Sequence, residues 1–330
     1  MRSAKKICGL FIAAILLTVT ALTTFAPAQS IPIFDLSEEI EYNYEINISF
    51  TRESNFESSS EQFSENQNAR MEGSLTLFET VSVVENFEDE YARIACRFDS
   101  LSGRIESVSD GTPSAIEIFS ERDHVLIYRN DSLISEYTPQ GGSNRAAYDF
   151  YERLLFLGED IIMLVYPNGE IINITENKNL WNLSRDLLGM PGGGFLEIVF
   201  PEGQSQWEGA LEISRLGDFD LQKSPEPLII EYNLGSNLNN LEFEGDLFLR
   251  QFNSEATVSE LDDKLTLILD NYQIKKSGSA SFSPSAGTLE KMDYSISRIG
   301  NVTLKGRDSE DYSIRMRIDA QSKVVYTLIK

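Results

Sequence analysis

The side chains able to carry chemistry are few and lie apart in the sequence. The single histidine, His124, stands in "SERDHVLIY". A nucleophilic triad would have to use it, yet no G-x-S-x-G occurs and no oxyanion loop accompanies it. At the head of a strand pattern, His124 reads as a surface or hairpin residue. Cys96 stands in "YARIACRFD". Alternation places Ala92, Ile94, Cys96 and Phe98 on one face and Arg93 and Arg97 on the other. Arginines lower a thiol pKa only from the thiol's own side, so Cys96 is expected to be buried and chemically quiet.

Metal chemistry finds no framework either. There is no C-x-x-C and no H-E-x-x-H. Acidic turns recur, as in "DLSEE", "NFEDE", "ELDDK" and "DSEDY". None has the D-x-[DN]-x-[DN]-G spacing of a calcium loop, which leaves weak calcium binding by such a turn open and solvated turns as the plainer account. With 52 acidic residues, carboxylate pairs suited to glycoside hydrolysis arise everywhere, and their presence decides nothing. The glycine run "MPGGGF" follows a helix pattern and precedes a strand pattern. A phosphate cradle has the reverse order with a lysine close by, so the run reads as a connection. No residue is assigned a catalytic, cofactor-binding or metal-binding role, and no cofactor is implied.

The elements available to position any site are mostly strands. "EIEYNYEINISF", Glu39 to Phe50, alternates throughout. Ile40, Tyr42, Tyr44, Ile46, Ile48 and Phe50 share one apolar face, the candidate face for an apolar ligand. Further strands are expected at 74–85, 91–101, 115–120, 125–129, 133–137, 195–200, 228–234, 241–252, 265–274, 289–299, 312–319 and 323–329. The stretch 207–216 fits a strand or a short helix. A hairpin joins "IIMLVY" to "EIINIT" through Pro167-Asn168-Gly169. Two helices are expected in mid-chain. One runs from Asn144 to Leu157 and stops at Gly158; the other runs from Asn179 to Leu188 and ends at Gly189. The polar tract 53–70 reads as a mobile loop.

Alternating strands imply antiparallel pairing with one wet face. The expected fold is therefore mainly β, a β-rich α+β arrangement. It is a large curved sheet, sandwich or half-barrel, mostly antiparallel, carrying the two helices. Residues 29–330 form one such domain, whose two sheet halves could meet near 141–194.

The first 28 residues join a basic "MRSAKK" to the apolar "ICGLFIAAILLTVTALTTFA" and end in Ala26-Pro27-Ala28. This is the pattern of a signal peptide cleaved after Ala28, with an uncleaved anchor as the alternative. The expected location is periplasmic or extracellular. Cys8 precedes the apolar run, so no lipidation site follows it, and the mature chain keeps Cys96 alone, which excludes an internal disulfide. The net charge of −24 opposes binding to nucleic acid and to anionic lipid headgroups.

The segment Ile161 to Trp207, with its hairpin, Leu-rich helix and "FPEGQSQW", resembles an uncharacterised family of secreted bacterial β-rich proteins. In that family a similar helix precedes an F-P…W lead into a strand. Ser205 and Gln206 stand here where the family has Gly-Asp before the tryptophan. The resemblance implies an envelope or secreted location and no activity. At fold level, long ribbons with intervening helices are also similar to periplasmic lipoprotein-carrier half-barrels.

Three functions remain on these readings. The first is a non-catalytic exported protein that binds an apolar small molecule or lipid, or an envelope protein partner. The second is a structural or surface-interaction protein with a closed core. The third, less favoured, is a carboxylate-based glycoside hydrolase. An apolar cavity of roughly 300–1,000 Å³ would favour the first.

Overall fold

The computed structural model describes residues 34–38, 40–58, 67–87, 90–109, 111–121, 124–138, 157–181, 198–201, 203–213, 215–216, 219–236, 238–258, 264–283, 288–306 and 313–329. Its strands are β1 Glu41–Ser58, β2 Gln67–Phe87, β3 Tyr91–Ser109, β4 Thr112–Glu121, β5 His124–Arg129, β6 Ser132–Tyr137, β7 Ile161–Val165 and β8 Ile171–Ile174. They continue as β9 Gln206–Leu211, β10 Arg215–Leu216, β11 Phe219–Leu221, β12 Leu228–Leu234, β13 Asn240–Val258, β14 Lys264–Ser283, β15 Thr288–Gly306 and β16 Ser313–Ile329.

These strands make one antiparallel sheet that does not close into a barrel, with the order β10-β11-β13-β14-β15-β16-β1-β2-β3-β4-β5-β6. Both borders of the long central ribbons fork. β13 pairs with β12 over Leu241–Gly245 and with β11 over Ala256–Val258, and β12 in turn carries β9. β3 pairs with β7 over Ala92–Cys96 and with β4 over Ser100–Ser109, and β7 carries β8. A mainly β antiparallel fold is what the alternating patterns called for.

Period two sets the layers. The inward residues of β1, β2, β3, β13, β14, β15 and β16 form one apolar cluster. Residues between the strands join it, among them Phe34, Leu36, Leu157, Trp181, Ile198 and Phe200. Bulges between β2 and β3 at Phe78/Glu79 and Val83/Glu85, and between β14 and β15 at Asp270/Gln273, bend the ribbons.

Several boundaries differ from the sequence reading. The tract expected as a mobile loop over 53–70 is strand at both ends: Glu53 pairs with Arg70, Ser54 with Ala69 and Asn55 with Asn68. The alternation persists there at buried Ser54, but the polar composition of the tract hid the period. Residues 313–319 and 323–329, from two expected strands, belong to one strand, β16, because Ala320 and Ser322 carry the inward parity past a polar stretch. Within the ambiguous 207–216 stretch, residues 207–211 belong to strand β9 and 215–216 to strand β10. Ile198 and Phe200 are buried but lie outside any ladder. Phe200 donates its N–H to the carbonyl of Asn168 in the β7–β8 turn instead.

Of the two expected helices, Asn144 to Phe156 lies outside the described residues. Of the second, residues 178–181 are α-helical, opened by Asn177 at φ 56, whose carbonyl accepts from the N–H groups of Leu180 and Trp181; its remainder, and the glycine run 190–195, lie outside the described residues. The leader 1–28 lies outside them as well. Among the described residues no helix is long and apolar enough to cross a membrane.

Candidate functional site

The candidate apolar-ligand face behaves as period two requires. Tyr42, Tyr44, Ile46 and Ile48 are buried, with Ile40 and Phe50 partly so, while Glu41, Asn43, Ser49 and Thr51 between and beyond them are exposed. Ile46 is 0% exposed and belongs to the apolar cluster. Tyr42, Tyr44, Ile46 and Ile48 thus belong to packed interior, while Phe50 also lines a groove of about 670 Å³. The Tyr42 hydroxyl donates to the carbonyl of Asp35 at 2.9 Å, which ties the chain before β1 across its edge.

Glu79 shares that interior. Leu77, Glu79, Val81 and Val83 form the inward side of β2, and Glu79 is 1% exposed. Its Oε2 finds no hydrogen-bond partner among the described residues. Burial raises its pKa from 4.5 to about 8, because a carboxylate loses its hydration there. Burial, and then the nearby Glu79, raise the Cys96 thiol well above its ordinary value. Arg93 and Arg97 point the other way, to Glu176 at 2.7 Å and Asp99 at 2.6 Å. Cys96 is thus buried, with its arginine neighbours on the opposite face.

Glu79 is the one acidic side chain among the described buried residues, so the paired carboxylates of a glycosidase do not form around it. His124 sits on the surface, its Nε2 2.9 Å from Glu136 Oε1. Among the described residues no group of three His, Cys, Asp or Glu side chains could hold a metal ion. In the turn after Phe34, Ser37 donates both its N–H and its hydroxyl to Asp35 Oδ1, a local cap.

A second concentration of side chains lies at the β9–β12–β13–β14 end of the inward face. The Trp207 and Tyr232 rings stack with centroids 5.2 Å apart and 9° between planes. Gly209 permits this: a Cβ there would lie 2.9 Å from the Tyr232 ring. The row continues through Phe243 at 5.8 Å and Tyr294 at 6.4 Å. Phe243 and Tyr294 stand in register on either side of Gly278. Strands two apart are separated by roughly 9.5 Å, so the rings lean together over the missing side chain. Lys276, 4% exposed, places its Nζ 4.7 Å from the Tyr294 centroid and 5.7 Å from that of Phe243. Ring faces attract an ammonium at such distances.

A groove of about 480 Å³ opens beside this row, lined by Val199, Trp207, Leu211, Ile230 and Tyr232, with Lys276 in its wall and Gln204 and Glu208 also lining it. On the other side, Phe200 meets Trp207 at 5.6 Å and packs edge-on against Phe34 and Phe282. The outer face of the same strands holds a groove of about 720 Å³ walled by Glu208, Glu231, Glu242 and Glu244. Glu208, Glu231 and Glu244 are register partners across three strands, which makes that wall strongly negative.

Sequence reasoning did not single out Lys276 or Glu79. Both carried a signal: each sits on the apolar parity of its strand. The strand expected over 265–274 ends before Lys275-Lys276. Continuing the parity through Ile274, Lys276, Gly278, Ala280 and Phe282 would have turned Lys276 inward.

No protein-family model matches the chain, and no curated protein matches it. Among solved structures, a lipovitellin structure described for its lipid–protein interactions is similar over 90% of this chain at 11% identity and a TM-score of 0.39. This chain covers only 26% of that one. A β-barrel-like protein of unknown function from Brucella abortus matches over 86% of this chain and 97% of its own, at 8% identity and a TM-score of 0.16. OccK5 of Pseudomonas aeruginosa matches over 88% of this chain and 98% of its own, at 7% identity and a TM-score of 0.20. Likenesses at these scores carry no argument about function.

Proposed function

We propose that this chain is a non-catalytic exported protein, of the cell envelope or secreted, that holds an apolar ligand against the inward face of its sheet. The observation that carries the reading is the groove beside Trp207 and Tyr232. Its volume of about 480 Å³ falls within the range of small-molecule sites. Its walls combine Val199, Trp207, Leu211, Ile230 and Tyr232 with Gln204, Glu208 and Lys276. The burial of Tyr42 to Ile48 supports reading the ligand site at the β9–β12 border rather than on that face. The export expectation rests on the leader pattern of residues 1–28.

Native mass spectrometry of the exported protein tests this. The expected result is an added mass that organic extraction removes and that a neutral hydrophobic dye can replace in the extracted protein. Bare protein that takes up no dye would overturn the reading.

That result would favour the second reading, a structural β protein with a closed interior. The burial of Tyr44, Ile46 and Ile48 supports it.

A further inference from the structure

We propose that the open edge of β9 is a docking site for an extended segment of another polypeptide, with basic residues at every second position, which joins the sheet as a further strand. The proposal goes beyond the ligand reading. The edge and the outer face carry it, whether or not the inward groove is occupied. Three observations converge on it.

The first is the state of the backbone. Among the described residues β9 pairs with β12 alone. Leu234 donates its N–H to the carbonyl of Ser205 at 2.8 Å. The alternation of an antiparallel ladder then turns the main-chain groups of Trp207, Gly209 and Leu211 towards β12. Those of Gln206, Glu208 and Ala210 face away from the sheet, and all three residues are exposed. Such a row, on a strand about 20 Å long, is a template for strand addition. β9 has no proline, lysine or bulge of the kind that blunts an open edge.

The second is the charge beside that edge. Glu208 opposes Glu231, and Glu231 opposes Glu244, so like charges stand side by side in one outward row. With Glu242 they line the outer groove of about 720 Å³, whose lining holds no basic residue. Among the described residues none of these four glutamates is in an ion pair. Like charges directly opposite each other repel, and a cation on the open side of β9 would offset them. A residue opposite Glu208 on an added strand has its Cβ about 5 Å from that of Glu208, and the long stem of a lysine or arginine reaches on towards Glu231.

The third is the choice of occupant. A second copy of this chain fits badly. Antiparallel pairing of two β9 strands about a two-fold axis sets the glutamates of both copies side by side, and a net charge of −24 on each opposes their approach. On an added strand, alternate side chains meet the glutamate row, while those between them turn inward beside Trp207 and Leu211. The fitting segment therefore alternates basic with apolar residues.

Fluorescence anisotropy of labelled peptides with the full chain tests the proposal. TKVKVKVT is expected to bind, and TEVEVEVT is not. KKKVVVTT keeps the composition without the alternation, and should bind roughly tenfold more weakly or worse. Ala210→Pro removes one outward N–H and leaves the β9–β12 ladder intact, as an edge strand tolerates. It should weaken TKVKVKVT by roughly three- to tenfold, the worth of one hydrogen bond. Glu208→Lys should weaken it as well. Hydrogen exchange should slow at the amides of Gln206, Glu208 and Ala210 when the peptide is bound. Equal binding of TKVKVKVT and KKKVVVTT, or unchanged exchange at those amides, would overturn strand addition. Equal binding of TEVEVEVT would overturn the charge assignment. No binding of TKVKVKVT would overturn the proposal and leave the apolar-ligand reading standing. Dimers in sedimentation that Ala210→Pro disperses would replace the peptide by a second copy. If Ala210→Pro does not fold, the exchange pattern of the unaltered chain still decides.

Discussion

Tyr44 and Glu79 face each other across the β1–β2 pair, register partners on the inward side and each 1% exposed. A phenol and a carboxyl are thus enclosed in an apolar layer, and burial penalises the charged form of both. Glu79 rises to about 8, and Tyr44 rises well above its ordinary value through burial and then the nearby Glu79.

Glu79 therefore makes stability depend on pH, and the sign follows from proton counting. The folded chain holds a proton on Glu79 that the unfolded chain has released. Stability from this group is complete below about pH 4.5 and is lost as pH rises towards and through about 8. The full span is of order 5 kcal/mol. Tyr44 faces Glu79 from β1 and Cys96 from β3, and both are neutral through this window. In chemical denaturation from pH 4.5 to 9, Glu79→Gln should gain stability relative to the unaltered chain as pH rises. Parallel curves for the two proteins would contradict the assignment.

The β1 alternation gives a second expectation. Ile46→Ala should cost about 2–5 kcal/mol, as large-to-small changes in packed cores do, because Ile46 is 0% exposed. Ile46→Asp should cost more, since it adds an unpaired charge to the same cavity. Thr51→Lys, on the exposed face beside Glu72, should stay within about 0.5 kcal/mol. Comparable losses at Ile46 and Thr51 in urea melts would mean that the ribbon is buried on both faces.

What the sequence disclosed follows the same physics. Period two is a local property, so the parity of Tyr42 to Ile48 and the face of Cys96 were legible from single strands. Gly209 and Gly278 were not. Each is required by a ring on a neighbouring strand, and strand order is a long-range property that no local pattern encodes. The forked borders of β3 and β13 escaped notice for the same reason. Lys276 and Glu79 stood on legible parities, but charge was taken to mean exposure. The buried charge was the informative exception.

Cys96 supplies a third expectation. Its thiol is buried and its pKa raised, so the nucleophilic thiolate is scarce in the folded chain. A disulfide thiol reagent at pH 8 should label the native protein slowly and the urea-unfolded protein at once. Equal rates would place Cys96 at the surface and reverse the assignment of its face.

The last expectation concerns Gly278 and the two rings above it. An alanine Cβ at 278 would lie 2.5 Å from the Asp293 carbonyl oxygen, 2.5 Å from the Tyr294 Cβ and 2.8 Å from Phe243 Cζ. The ring tip could swing away, but the carbonyl belongs to β15 and is fixed by the β14–β15 ladder. Gly278→Ala must therefore move backbone as well as side chain, and overpacking of this kind costs about 1–3 kcal/mol. Ser277→Ala is the control, since Ser277 points to the exposed outer face one residue away; it should cost less than about 0.5 kcal/mol. If both variants melt alike, the spacing of Phe243 and Tyr294 is not set by the glycine between them.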